Sequence, residues 1–284
     1  MRLDNRDDPP SFSSLKWFGW TDCGKVRTNN EDRFLGLQFD SREANLLGRI
    51  GEGSNEPMDF AFAVSDGMGG ARAGEFASRI AIEKLTLLLP RSFQQSAQGM
   101  QTGFVDVLEE LFDSIHKALT YVGGSYDECR GMETTLSLAW FTPGWMYFGH
   151  IGDSRIYSLP ADANEIRQVT LDDTHVGWLF QQGKLNEREA RTHPRRKVLQ
   201  KALGGGNQFV TPQVGAVAYD PGDLFLLCTD GLVEGLYNNN LVEILRETVS
   251  AGSTANPAQS LVEAAVRNDG TDNTTALVIQ IMPD

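Results

Sequence analysis

The order in which apolar periodicity changes along these 284 residues constrains the fold more tightly than any single motif. Trp17–Thr21, Arg33–Phe39 and Phe60–Val64 read as strands, the last a continuous apolar run of the kind buried on both faces. Ala73–Leu89 is helix-forming, with Phe76, Ala77, Ile80, Ala81 and Leu88 near one face, and Pro90 is expected to stop it. A second helix shows Phe104, Leu108, Leu111, Phe112, Ile115, Leu119 and Val122 three and four residues apart, ending at Gly123-Gly124. Thr134–Phe141 and Trp145–Gly149 form a hairpin about Pro143-Gly144, and Arg155–Leu159 is expected beside them as a further antiparallel neighbour. Val214–Tyr219 and Leu224–Cys228 read as a second hairpin about Pro221-Gly222. Helices at Leu241–Val249 and Pro257–Val266 precede a last strand, Thr274–Ile281. Strands, two long helices, strands, two helices and a strand are segregated, not alternating. That order suits an α+β fold with paired antiparallel sheets and helices outside them, and excludes a doubly wound sheet.

Three segments stand apart. Residues 1–16 are polar and read as a flexible lead-in; residues 40–58 are rich in Gly, Ser, Asn and Glu and read as a surface insertion outside the core. Residues 171–206 are helical and charged, and Arg191, Arg195, Arg196 and Lys197 there read first as a solvated helix face. The sharper alternative is a basic cluster that attracts acidic or multiply phosphorylated substrates.

The net charge of −13 repels nucleic-acid phosphate, so no nucleic-acid partner is expected. The longest apolar runs, such as Leu224–Cys228, are far shorter than the roughly 20 residues of a membrane span. MRLDNRDDPP at the start has no secretory character, and three scattered cysteines (Cys23, Cys129, Cys228) suit a reducing compartment, so a cytoplasmic protein is expected.

Four aspartates share one placement. Asp66, Asp153, Asp230 and Asp272, in SDGMGG, GDSR, TDGL and TDNTT, each sit at a strand edge. Any one alone could simply begin a turn. Together they place like charges on a common rim, where a counter-cation is needed. Oxygen ligands without histidine or thiolate point to Mg²⁺ or Mn²⁺ and away from zinc. Glu31 and Asp32 add two acids, and Arg27 has the planar fork that matches phosphate oxygens.

These residues together resemble the metal-dependent protein serine/threonine phosphatases of the 2C type, in their bacterial form. The match runs in order through Arg27, Glu31 and Asp32; DGMGG at 66–70; Thr134-Thr135; GDSR at 152–155; TDG at 229–231; and DNTT at 272–275. His193-Pro194-Arg195 and Ala202-Leu203-Gly204 resemble the family's variable flap, so that residues 17–284 would be one catalytic domain. The resemblance implies a four-layer αββα sandwich with a Mn²⁺ or Mg²⁺ site at one edge, holding two ions and, in bacterial members, a third. Asp66 would bridge the two metals, with the Gly67 carbonyl on one of them; Asp230 and Asp272 would complete the second. Asp153, with Asp230, would bind the third metal; Glu31 and Asp32 would hold metal-bound waters, and Arg27 the substrate phosphate. It also implies phosphoserine and phosphothreonine hydrolysis on proteins by a metal-bridged hydroxide, a monomer, and an opposing Ser/Thr kinase.

Met68 stands where some members have a histidine that could protonate the leaving group, so no general acid is named. His150, His175 and His193 read as structural or surface residues. A cysteine phosphatase is excluded, because Asn29, Thr135 and Glu234 stand six residues after the cysteines where an arginine is required. Nucleotide-binding glycine motifs are absent too. The alternative from another class is a catalytically silent relative that binds a partner.

Overall fold

The computed structural model describes residues 14–70, 72–97, 103–206, 209–250 and 255–282. Of the lead-in, residues 1–13 lie outside these, while Ser14–Lys16 already belong to the first strand. The chain runs through β1 (Ser14–Asp22), β2 (Asp32–Phe39), β3 (Ala44–Leu46), β4 (Ile50–Ser54) and β5 (Asp59–Met68). The long helices α1 (Ala73–Ala97) and α2 (Phe104–Ser125) follow, then β6 (Glu133–Thr134), β7 (Leu136–Thr142), β8 (Trp145–Ile151), β9 (Arg155–Leu159) and β10 (Arg167–Gln168). Short helices α3 (His175–Gln181) and α4 (Glu187–Thr192) lead to β11 (Leu203–Gly204), β12 (Gln213–Ala218) and β13 (Leu224–Cys228). Helices α5 (Asp230–Gly235), α6 (Asn238–Ser250) and α7 (Pro257–Asn268) and strand β14 (Thr274–Ile281) complete it.

Side-chain alternation along the central strands sorts these elements into four layers. On β5, Phe60, Phe62 and Val64 point to the space between the sheets, while Ala61 and Ala63 face α1 and α2. On β13, Phe225 and Leu227 point inward to the same space, while Leu224, Leu226 and Cys228 face α5, α6 and α7. The middle layer is aromatic: Phe141 packs edge-on against Phe62 and Phe225 at ring-centroid distances of 5.9 and 5.3 Å. Burying each such ring contributes roughly 1.5–3 kcal/mol. The expected αββα sandwich is the observed architecture.

One sheet has the order β10-β9-β13-β14-β1-β4; the other has β11-β6-β5-β7-β8-β12, with β2 and β3 continuing from β5. Both expected hairpin groups need correction. β12 pairs with β8, whereas β13 pairs with β14 and β9 in the opposite sheet, so Pro221-Gly222 is a corner and not a hairpin turn. Likewise β9 leaves the sheet of β7 and β8. A tight turn reverses the chain in either case; what decides the sheet is long-range packing. Asp223 fixes the corner by accepting hydrogen bonds from the Asp220 and Ala161 backbone amides.

Two further expectations change. Pro90 lies inside α1, because Leu85 and Leu89 are fully buried in the turns before it and the cost of one missing amide donor does not end the helix. The 40–58 segment is mostly exposed but is not detached from the core. It supplies edge strands to both sheets, β3 on β2 and β4 on β1, and its Gly48 carbonyl accepts from Trp17 Nε1.

Candidate active site

The strand ends carrying the motifs meet at one edge of the sandwich. Asp32 opens β2 directly opposite Asp66 near the end of β5. In the other sheet Cys228 pairs with Ala276, so β13 exits toward Asp230 where β14 enters from Asp272. Asp153 lies where the chain crosses from Ile151 in one sheet to Arg155 in the other.

Short side chains hold each acid in place. Thr135 interrupts the strand between β6 and β7 because its groups serve Asp66: its hydroxyl accepts from the Asp66 amide at 3.0 Å and its amide donates to the Asp66 carbonyl at 2.9 Å. The Thr134 hydroxyl donates to that same carbonyl, and Thr135 Oγ1 also meets Ser154 Oγ at 2.6 Å, beside Asp153. Asp32 is buried, and the hydroxyls of Thr229 and Thr275, on the opposite sheet, both donate to its Oδ2 at 2.7 Å. Gly67 is required by close approach, since a Cβ there would collide with the Gly74 carbonyl.

Asn273 assembles the loop between β1 and β2. Its Nδ2 donates to the Cys23 and Asn29 carbonyls at 3.0 and 2.9 Å, and its Oδ1 accepts from the Glu31 amide at 2.8 Å. The loop brings Glu31 and Arg27 to the rim. Arg27 is half exposed and forks onto Asp272, Nε to Oδ1 at 2.9 Å and Nη2 to Oδ2 at 3.0 Å.

The cluster is charge-frustrated. Burial, then the charges of Asp32, Asp230, Asp153 and Asp272, hold the Asp66 carboxyl well above the usual carboxylate range. Burial and the Asp230 and Asp172 charges do the same for Asp153, with Arg155 opposing. Asp32 is pushed up to about 7 by burial despite its two hydroxyl donors, and Asp230 to about 6 by burial despite Lys197. Glu31 is raised by burial as well, against the pull of Arg27.

The donor set fits a hard divalent cation. Asp32 Oδ1 and Asp230 Oδ1 are buried without a hydrogen-bond partner among the described residues, and the ligand oxygens of Asp230, Glu234 and Asp272 lie within 4.8 Å of one another. Crowded carboxylates with unpartnered oxygens and no nitrogen or sulfur donor are what Mg²⁺ or Mn²⁺ coordination uses.

Glu234 escaped sequence reasoning, and Lys197 was named there only within a basic cluster and not as a partner of the acids. Glu234, one helical turn after Asp230, faces the same acids, and Lys197 Nζ reaches Glu234 at 2.9 Å, Asp272 at 3.1 Å and Asp230 at 3.7 Å. Burial works against the Lys197 ammonium, but Asp230, Glu234 and Asp272 keep its pKa above the ordinary value. The 191–197 cluster is therefore not a plain solvated face. Arg191 donates to the Val233 and Leu236 carbonyls at the end of α5 and lies over the Tyr237 ring, and Arg196 pairs with Glu234 at 3.6 Å. An i,i+4 acid spacing in TDGLVE was the available signal for Glu234; the partners of Lys197 left none. Among the histidines, His150 is buried between Ser137 Oγ and the Gly152 carbonyl with its pKa lowered by burial, a structural role.

The family model for protein phosphatase 2C matches residues 52–264. The chain belongs to the protein phosphatase 2C family. Within it, the chain is 31% identical over 271 residues to the serine/threonine protein phosphatase PstP of Mycobacterium tuberculosis, covering 94% of this chain and 45% of PstP, so it spans about half of that relative's length. It is 28% identical over 261 residues to the protein phosphatase PhpP of Streptococcus pneumoniae, covering 92% of this chain and 95% of PhpP. Among solved structures of this family, the catalytic domain of PstP in complex with two manganese ions superposes with a TM-score of 0.72 at 28% identity, over 95% of this chain and all of that one. Among the described residues, no helix of this family member is long and apolar enough to cross a membrane.

Proposed function

We propose that the chain is a metal-dependent phosphatase that hydrolyses phosphoserine and phosphothreonine on proteins, with its catalytic domain, expected over residues 17–284, beginning at Ser14, where β1 starts. One observation carries the reading: six acids from five separate motifs meet at one sheet edge, too close to be ionised together without cations, beside an arginine fork. Asp66, the Gly67 carbonyl, Asp230 and Asp272 would hold two Mn²⁺ or Mg²⁺ ions, and Asp153 with Asp230 a third. Bound ions there supply activated water near neutral pH and offset charge on the phosphoryl oxygens.

The protein's own residues do the positioning. Asp32, with one oxygen fixed by two threonines and the other unpartnered, would orient water, as would Glu31. Asp272 takes the Nε donor and one Nη2 donor of Arg27 and so fixes its plane. Three N–H donors of that guanidinium remain for a substrate phosphate. The three free cysteines support a reducing, cytoplasmic setting. There the protein would act as a monomer on phosphoproteins opposite a Ser/Thr kinase.

The test is hydrolysis of a phosphothreonine peptide with and without Mn²⁺, wild type against Asp66→Asn. Mn²⁺-dependent turnover is expected, lower in the variant by about 10³-fold or more, as loss of several kcal/mol of charge stabilisation requires, with the melting temperature retained. No turnover by the Mn²⁺-loaded wild type would leave the silent binding module as the better reading. Near wild-type turnover by Asp66→Asn would remove Asp66 from the ligand set.

A further inference from the structure

Lys197 belongs to the flap, between α4 and β11, yet its ammonium lies against the acids of the opposite wall. Nζ is 2.9 Å from Glu234 Oε2, 3.1 Å from Asp272 Oδ2 and 3.7 Å from Asp230 Oδ2. Three carboxylates whose oxygens lie within 4.8 Å of one another repel; Arg27 on Asp272 and Arg196 on Glu234 each offset one of them, and the Lys197 ammonium is the cation that reaches all three. This contact and the coordination proposed above draw on the same carboxylates, Asp230 and Asp272.

We propose that Lys197 is a tethered counter-cation that competes with a divalent ion for Asp230 and Asp272, so that loading of the acid site undocks this part of the flap. The inference rests on the metal-site reading given under Proposed function. Lys197 is 41% exposed at its side chain and carries its charge on a flexible four-carbon stem, so it can withdraw without disturbing the core. The rest of the flap stays attached. Arg191 keeps α4 on the end of α5 through the Val233 and Leu236 carbonyls, which are not part of the acid cluster, and Glu234 retains Arg196. The exchange therefore loosens the short stretch around Lys197, residues 197–198, while α4 remains docked and residues 199–204 stay fixed by the Thr174–Leu199 bridge, the Gln200 amide and Lys201 on Asp173, and the pairing of β11 with β6. It also releases Lys197 into the cavity of about 480 Å³ that the flap and α5 enclose next to Asp153 and Asp230, where its charge would face a phosphorylated substrate.

The test is calorimetric titration of Mn²⁺ into the EDTA-stripped 284-residue chain, comparing wild type, Lys197→Met and Lys197→Arg, with hydrogen exchange of residues 197–198 followed alongside and residues 199–204 as the internal reference. Removing the competing charge should tighten one Mn²⁺ site about tenfold or more in Lys197→Met, while Lys197→Arg stays near wild type. Mn²⁺ should speed exchange at 197–198 in the wild type, and Lys197→Met should exchange fast there with or without it. Equal or weaker Mn²⁺ affinity in Lys197→Met, or slower wild-type exchange on adding Mn²⁺, overturns the inference and leaves the metal site standing. Absence of Mn²⁺ binding in all three proteins overturns the metal-site reading and the inference with it; binding by Lys197→Met alone supports both.

Discussion

The two walls of the site are built from different bonds. On one side, the loop from Cys23 to Asp32 is held by the buried Asn273 amide and by Thr229 and Thr275, through short hydrogen bonds to backbone and carboxylate. On the other, the flap is held largely by half-exposed ion pairs: Lys197 and Arg196 on Glu234, and Lys201 on Asp173 at 3.1 Å. Buried directional hydrogen bonds fix a group to one position and are costly to leave unmade. Exposed ion pairs are weak, screened by salt and easily exchanged. The first wall therefore keeps Glu31, Asp32 and Arg27 preorganised for chemistry, while the second can change partners as ions and substrates come and go.

The largest effect expected from testing this contrast is on the rigid wall. Asn273→Ala removes three hydrogen bonds, to the Cys23 and Asn29 carbonyls and from the Glu31 amide, and should destabilise the protein by about 3 kcal/mol in denaturant melts, with activity falling as well. A loss below about 0.5 kcal/mol would erase the distinction between the walls.

Asp59, at the other end of β5 from Asp66, belongs to neither wall and gives a baseline for a buried acid. Burial pushes it up to about 6, although Trp140 Nε1 donates to it at 2.9 Å. Between about pH 4 and pH 6 the folded state thus holds a proton that the unfolded state has lost. The stabilisation is complete below pH 4 and is lost as pH rises to 6. Asp59→Asn should come close to wild-type stability at pH 4 and exceed it by about 3 kcal/mol at pH 7. Parallel pH–stability curves for the two proteins would contradict this.

Arg27 is the member of the rigid wall that is fixed by an ion pair. Arg27→Ala should raise KM about tenfold, roughly 1.4 kcal/mol, with a smaller change in kcat and little loss of stability. A stability loss as large as that of Asn273→Ala would make Arg27 structural. The smallest effect belongs to the flap: Arg196→Ala, removing a 3.6 Å pair, should cost less than about 0.5 kcal/mol. A larger cost in a thermal melt would show that this wall is as fixed as the other.

Much of this was legible in the residues, unevenly. The continuous apolar runs Phe60–Val64 and Leu224–Cys228 are local signals, and so is the Asp-Gly chemistry that ends those strands. Edge strands β3 and β4 were hidden because exposed edges carry the Gly, Asn and Glu of loops, and the partner of β4, β1, is distant in sequence. The corner at Pro221-Gly222 looks like a hairpin because a turn sets chain reversal but not which sheet receives the next strand. The partners of Lys197 were invisible for a similar reason, since they lie 33 to 75 positions away and nothing in an RRK run names them.

The sequence by itself determined the layers and the acids: hydrophobic period and turn residues act within a few positions, so strands, helices and strand-end aspartates follow from local composition. Only the tertiary structure decided which sheet each strand joins, that Asn273 ties the Arg27 loop, and that a flap lysine shares Asp230 and Asp272. Those depend on distances between residues far apart in the chain, which the packing of the two sheets sets and no local pattern encodes.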